Sequence, residues 1–327
     1  MVYIYALCDV FYNSFYIEGL KNIYGKVEFN TNRFPKFVQG TFAILIVNKT
    51  QNFKIIIDPK DENNCNEIAL EWCDVYGKVN FDKNNLPKNF ANKIKPIGPS
   101  FGIKIWGLLP TTSNAISNFL ISRKNISNKR EFFANYWRQY KRLPIKSYSK
   151  SLSDDKYVYF IGSLWSNEKK TNTFRAAFIT NCLNNKNIDF EGGFAPRNDR
   201  KNFGFEGLIL DKVISLQKYI LNIKKSSFVF NTPAVLDCHG WKLGEFMALG
   251  KAIISTQHTN DLPSNLVDDQ HVLYADNAAE IKSKIDELIK NKNLRHNLEN
   301  NARQYYDEHL APEVVIKKLL LIENFRK

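Results

Sequence analysis

Short apolar runs alternate with amphipathic stretches from one end of the chain to the other, and that alternation predicts α/β layering. In the first half, strands are predicted near Val2–Leu7, Lys26–Phe29, Thr41–Val47, Lys54–Ile57, Val75–Asn80 and Ile94–Ile97. Helical spacing fits Tyr12–Ile23, Asn64–Trp72, Ser113–Ser122 and Lys129–Gln139. The second half restarts with strands at Tyr157–Ile161, Ile188–Glu191, Ser227–Phe230, Ala252–Ser255 and His271–Tyr274. Between and after them, helices are expected at Thr173–Leu183, Phe205–Ile220, Ala278–Lys290 and Leu294–Glu308. Pro312 breaks the chain before a last helix, Val314–Phe325.

The stretch RLPIKSYSKSLSDD (residues 142–155) is polar, contains Pro144 and has no periodicity, which suits a linker. The fold class expected is therefore α/β, two Rossmann-like domains facing across a cleft. One spans residues 1–145 and the other 155–311, with 312–327 as a C-terminal helix packing back toward the first. Ligands of open α/β sheets sit beyond the carboxyl ends of the strands. In the second half those positions are Gly162–Ser163, Gly192–Arg197, Asn231–Gly240 and Thr256–Asn260.

Composition narrows the class. A hydrophobic share of 44% against 24% charged residues is enough for two buried cores. No apolar run approaches the ~20 residues that span a bilayer. The opening MVYIYALCDVFYNSFY lacks a basic n-region and carries Asp9, so it reads as a first strand and not a signal peptide. Five scattered cysteines without a CxxC pair fit a reducing, cytoplasmic setting and argue against a disulfide framework or a zinc site. The net charge of +13 favours an anionic partner: nucleic acid, anionic lipid headgroups or a phosphorylated small molecule. No zinc finger, helix-turn-helix or RNA-recognition signature is present, so nucleic acid is not expected. No G-x-G-x-x-G follows the first strand of either half, which weighs against a nucleotide-cofactor oxidoreductase.

The most informative stretch is NTPAVLDCHGWKLGEFMALGKAIIST (residues 231–256). A polar loop containing Asp237, Cys238, His239 and Gly240 enters an apolar helix with one acid, Glu245. Gly250 ends that helix before a buried strand. The first N–H groups of a helix lack internal partners and carry partial positive charge, so the corner can hold an anion. Lys242 in the first turn opposes the dipole, and a bound diphosphate would relieve that conflict. Arg175 and Arg197 are the candidate guanidinium forks for the same diphosphate. Gly192, Gly193 and Gly240 would let backbone approach a ligand.

These residues resemble the nucleotide-binding domain of GT-B glycosyltransferases over about residues 155–325. The string KLGEFMALGKAIIS is similar to the helix-and-strand element E-A-M-A-x-G-x-P-V-I-A of the retaining family 4, group 1, enzymes. Asp237 and Glu245 have the spacing of that family's E-x7-E pair, with Asp in place of the first Glu. The resemblance implies that Glu245 holds the donor ribose, Asp237 faces the donor sugar, and His239, Gly240, Lys242, Arg175 and Arg197 hold the diphosphate. An exostosin-like, inverting family is a second resemblance, carried by Lys242–Glu245 followed by Asp261-Leu262-Pro263.

The activity implied is transfer from a nucleotide-diphospho-sugar, itself a substrate and not a cofactor, to a hydroxyl of a glycan or lipid-linked acceptor. Neither a metal nor a cofactor is expected. The role is polysaccharide biosynthesis, in the cytoplasm or peripherally at the inner face of an anionic membrane. The first half would bind the acceptor. Asp9 and Asp74 are its carboxylates nearest to strand ends, and no catalytic residue is assigned.

Overall fold

The computed structural model describes residues 1–49 and 51–320. In chain order the regular elements begin β1 (Val2–Tyr5), α1 (Val10–Tyr24), β2 (Glu28–Asn30), β3 (Phe42–Val47), β4 (Asn52–Asp58), α2 (Glu67–Trp72) and β5 (Val75–Lys78). They continue with β6 (Ile94–Pro96), α3 (Leu108–Ser122), α4 (Lys129–Tyr140), β7 (Tyr157–Gly162), α5 (Lys169–Leu183), β8 (Asp189–Phe194) and α6 (Leu216–Lys225). The remainder are β9 (Phe228–Asn231), α7 (Trp241–Ala248), β10 (Ala252–Ser255), β11 (Leu273–Tyr274), α8 (Ala278–Lys290), α9 (Lys292–Tyr305) and α10 (Pro312–Leu320). The continuation of the last helix toward Phe325 lies outside the described residues.

Two compact units result. Unit 1 takes Met1–Ser147, Asn260–Ser264 and the chain from Glu308; unit 2 takes Tyr148–Thr259 and Asn265–Asp307. Among the described residues no helix is long and apolar enough to cross a membrane.

Unit 1 is a six-stranded sheet in the order β2-β1-β3-β4-β5-β6. Its pairs are parallel except around β3, which runs antiparallel to both β1 and β4. Hydrophobic patterning finds strands but not their direction, and β3 ends close enough before β4 for the two to pair as a hairpin. The sheet is therefore mixed, where a Rossmann-like domain would be parallel. Phe15, Tyr16 and Leu20 of α1 are buried, and α10 crosses the same helix at Gly19. A Cβ there would stand 2.4 Å from the Pro312 carbonyl oxygen, so the crossing needs glycine for space, not for backbone freedom.

One charged pair lies inside this unit. Lys78 is 1% exposed and donates to Asp58 Oδ2 at 3.0 Å, while the Tyr76 hydroxyl donates to the same oxygen at 2.6 Å. The irregular stretch before α3 is also buried at Phe101 and Ile103. Its backbone groups are paired with side chains: Ser14 accepts from Ile103 N, Gln139 from Ile105 N and Trp106 N, and Arg142 donates to Gly102 O.

Unit 2 is parallel throughout. β11-β10-β9 form one sheet and β7-β8 another, and β7 lies beside β9. Ser227 N donates to Tyr157 O at 2.8 Å, and Tyr159 N to Ser226 Oγ at 2.9 Å, across that seam. The spatial order is then β8-β7-β9-β10-β11, with reversal between β7 and β9. Phe160, Phe178, Phe228 and Phe230 fill the core beneath, Phe178 and Phe230 stacked at 4.7 Å.

Two expectations are corrected here. Gly192 and Gly193 do not follow β8 but lie within it, paired with Phe160 and Ile161 of β7. At Gly192 φ is 147° and a Cβ would meet Phe160 O at 1.8 Å, so the close approach is to the protein's own strand. The single helix expected over Phe205–Ile220 is instead a short 3-10 turn, Glu206–Leu208, and α6. Leu210 N donates to Phe194 O, which makes the apolar run Leu208–Leu210 an edge of the sheet. Ser215 caps α6, its hydroxyl accepting from Lys218 N.

Candidate functional site

The strand reversal in unit 2 places the loop after β7 beside the loop after β9, and a cation joins them. Arg175 on α5 is 7% exposed; Nε donates to Thr232 Oγ1 at 2.9 Å and Nη1 to Ser163 O at 2.8 Å. Two other predicted cations reach the same loop. Lys242 Nζ donates to Ile161 O and lies 5.1 Å over the Phe160 ring. Arg197 Nη1 donates to Leu164 O at 2.6 Å. Three cations thus converge on carbonyls at the end of β7. Asn172 fixes that loop further, accepting from Trp165 N and donating to Trp165 O.

Burial decides the electrostatics. It pushes the Lys242 ammonium down to about 7, with repulsion from Arg175 next and the Glu245 charge opposing. It lowers Arg175 to about 10, still charged at neutral pH. Arg197 differs: Nε and Nη2 form a fork on Asp199 at 2.8 and 2.5 Å, which holds that carboxyl at about 2. Its charge is already matched. Arg197 also lines a cleft of about 380 Å³ with Ser163, Trp165, Pro196 and Asn198.

Helix α7 sets the other predicted residues. Its apolar face, Leu243, Phe246 and Met247, is fully buried, and Gly250 (φ 59°) closes it in a Schellman turn. The closing bonds run from Gly250 N to Met247 O and from Lys251 N to Phe246 O, both 3.0 Å. At the other end Gly240 is the N-cap, and no side chain caps the helix there. A Cβ on Gly240 would meet only Ala234 Cβ, at 3.5 Å, and its φ of −71° is ordinary, so nothing within the fold demands glycine.

Glu245 is 4% exposed and accepts from the Tyr219 hydroxyl at 3.0 Å. Asp237 lies exposed in the loop after β9, where Leu236 and Asp237 both have positive φ, 57° and 55°. Two consecutive left-handed residues that are not glycine store strain at this loop. Glu168 accepts from Leu236 N at 3.1 Å and steadies it.

His239 is buried 5.6 Å from the ring of His258, a residue that motif reading did not single out. Asn231, at the end of β9, gives its amide hydrogens to Ser255 Oγ (3.0 Å) and His258 Nε2 (3.2 Å). His258 Nδ1 then donates to the Tyr274 hydroxyl at 3.2 Å. Burial, and next the neighbouring His239, push His258 down to about 3, so it stays neutral. Thr232 lies within the Asn231–Gly240 stretch that chain order flags but was not singled out, and Tyr219 was missed.

Unit 1 has a cavity of about 340 Å³ at the carboxyl ends of β1 and β4, lined by Asp9, Asn13, Gln39, Asp58, Lys60 and Asn66. Burial raises the Asp9 carboxyl to about 6, against the backbone hydrogen bond from Tyr12 as α1's N-cap. Between pH ~4 and ~6 the native state therefore binds more protons than the unfolded chain, and stability falls as pH rises. Asp9→Asn, which still caps a helix, is expected to gain about 1 kcal/mol at pH 7 and nothing below pH ~4. Urea melts at the two pH values check this. Asp74 is structural: its carboxylate accepts from Lys54 N at 2.8 Å. The segment Asp261–Pro263 belongs to unit 1, where Asp261 N donates to Phe81 O.

Residues 212–305 match the family model described as glycosyl transferases group 1. A search of curated proteins finds no match. Among solved structures, the C-terminal domain of a glycosyl transferase group 1 family protein from Francisella tularensis is 16% identical, with 50% of this chain covering 95% of that one (TM-score 0.36). A glycosyltransferase from Rickettsia africae is 15% identical over 79% of this chain and 64% of that one (TM-score 0.46). An S. aureus MnaA–UDP co-structure is 10% identical over 77% and 61% (TM-score 0.39). The similarity to the group 1 glycosyltransferases thus lies in the 212–305 segment.

Proposed function

We propose that the chain moves a glycosyl group from a nucleotide-diphospho-sugar to a hydroxyl of a glycan or lipid-linked acceptor, without a metal, in polysaccharide biosynthesis. The observation that carries this reading is Arg175, which bridges the loops after β7 and β9 where the strand order reverses, with Lys242 held to the same β7 end.

Breaking the bond between sugar and phosphate gathers negative charge on the departing diphosphate. Preorganised cations out of bulk water answer that charge better than solvent does, each donor by on the order of 3 kcal/mol. Arg175 spends Nε and Nη1 on the protein and keeps Nη2 for a phosphate oxygen. Lys242 exchanges the Ile161 carbonyl for a diphosphate oxygen, and the incoming anion restores its proton. His239 and Gly240 complete the cradle at the start of α7. Arg197 joins by leaving Asp199. Glu245, its rotamer fixed by Tyr219, accepts from ribose hydroxyls, and Asp237 faces the donor sugar. The cavity of unit 1, which Asp9, Asn13, Gln39 and Asp58 help to line, takes the acceptor, and the net charge of +13 supports peripheral contact with an anionic membrane.

Thermal-shift screening tests the reading. Nucleoside diphosphates and their sugars should raise the melting temperature, because a ligand of the native state alone stabilises it. No shift with any of them contradicts the reading. Glu245→Ala is expected to weaken nucleotide binding by ~1–3 kcal/mol. Equal calorimetric affinity would remove Glu245 from the donor site.

A further inference from the structure

Helix α3 is built inside out. Its buried residues are Thr111, Ala115, Asn118 and Ser122, small or polar. Its aliphatic residues face water: Leu109 is 81% exposed, Leu120 58% and Ile116 51%, with Leu108 and Ile121 beside them. Burial of apolar surface normally sets which face turns inward, so this orientation needs an outside partner. The helix carries no charged residue. Phe133 and Trp137 of the adjoining α4 are exposed as well.

The surroundings say what that partner is. From Lys104 to Lys146, the α3–α4 hairpin with its flanks, the sequence has nine Lys and Arg against one acid, Glu131, a net +8 in a chain of +13. Arg123 and Lys124 leave the end of α3, and Lys129 and Arg130 open α4, all exposed. A second copy of the chain would set one such cationic rim against another, which repels. A nucleic acid offers phosphates to the cations but nothing to a leucine stripe. A bilayer with anionic headgroups satisfies both. At 15 residues α3 is ~22 Å long, short of the ~30 Å hydrocarbon core, so it lies along the surface.

We infer that the α3–α4 hairpin of unit 1 docks the protein on anionic lipid, its exposed Leu and Ile in the acyl boundary and its cations among the headgroups. This surface rests on the membrane contact in the reading above, and not on the donor site.

Sedimentation with vesicles is the test. The protein should pellet with phosphatidylcholine–phosphatidylglycerol vesicles and not with phosphatidylcholine alone. The triple substitution Leu109→Gln, Ile116→Gln, Leu120→Gln should weaken this by about tenfold or more, as should Arg123→Glu with Lys124→Glu. Both sets alter exposed positions, and if the triple variant unfolds the charge reversal alone decides. Nucleoside diphosphate affinity should be unchanged in either variant, so loss of docking and loss of the donor site are told apart. Equal pelleting with both lipid compositions, full binding by the variants, or a dimer that the triple substitution dissolves would overturn the inference.

Discussion

Lys242→Met should give a protein that unfolds at a higher temperature and no longer turns over. The two effects share one cause. Burial holds the Lys242 ammonium at about 7, against 10.5 for the free side chain. Between those values the unfolded chain binds a proton that the native state does not, so native stability rises with pH across that window and is lowest below it. Methionine keeps the stem's packing on Phe160 and removes the buried charge. At pH 7 the gain should be on the order of 2 kcal/mol, fading toward pH ~10. Turnover should fall by about a hundredfold or more, since a donor aimed at the leaving charge is gone. Parallel urea melts and initial rates separate this from ordinary damage, which lowers both quantities. A variant that is less stable at pH 7, or fully active, would refute the assignment.

The second large effect concerns folding alone. Asp58→Asn should destabilise unit 1 by ~3–5 kcal/mol, because Lys78 would keep its charge at 1% exposure with no carboxylate to meet it. The Tyr76 hydroxyl would lose its ionised acceptor too. Replacing both partners with apolar residues, Asp58→Leu with Lys78→Met, should recover most of that loss. A double-mutant cycle in urea measures the coupling. Near-additive losses would show that the pair is not the unit of stability described.

Much of this fold can be read from hydrophobic periodicity, and the misses are instructive. The Lys242–Gly250 helix and its following strand were legible because apolar spacing, Gly250 and a β-branched run agree. Strand direction was not, since alternation is blind to it, and so β3's reversal came from the structure. The run Phe205–Leu210 has helical apolar spacing but follows Gly204 and contains Gly207, and it was the sheet edge at Phe194 that claimed it. In α3 the helix itself was foreseen but not its orientation, because an apolar stripe does not say whether it faces a core or a membrane.

The candidate site was legible to a similar depth. Lys242, Arg175 and Arg197, each named from the sequence, have side chains on carbonyls at one strand end. What the sequence could not supply is each group's present partner: Asp199 for Arg197, Tyr219 for Glu245, Thr232 for Arg175. Those pairings depend on residues dozens of positions apart or on loop geometry, which periodicity does not encode. The proximity of His239 to His258 escaped for the same reason.

A titration of uridine or guanosine diphosphate into wild-type protein and Arg175→Ala, followed by calorimetry, reaches the core of this account. Saturable binding by the wild type, weakened at least tenfold in the variant with its fold intact, is the expected result. Indistinguishable isotherms, or no heat with either nucleotide, would mean that the cations gathered at the end of β7 serve the fold and not a diphosphate.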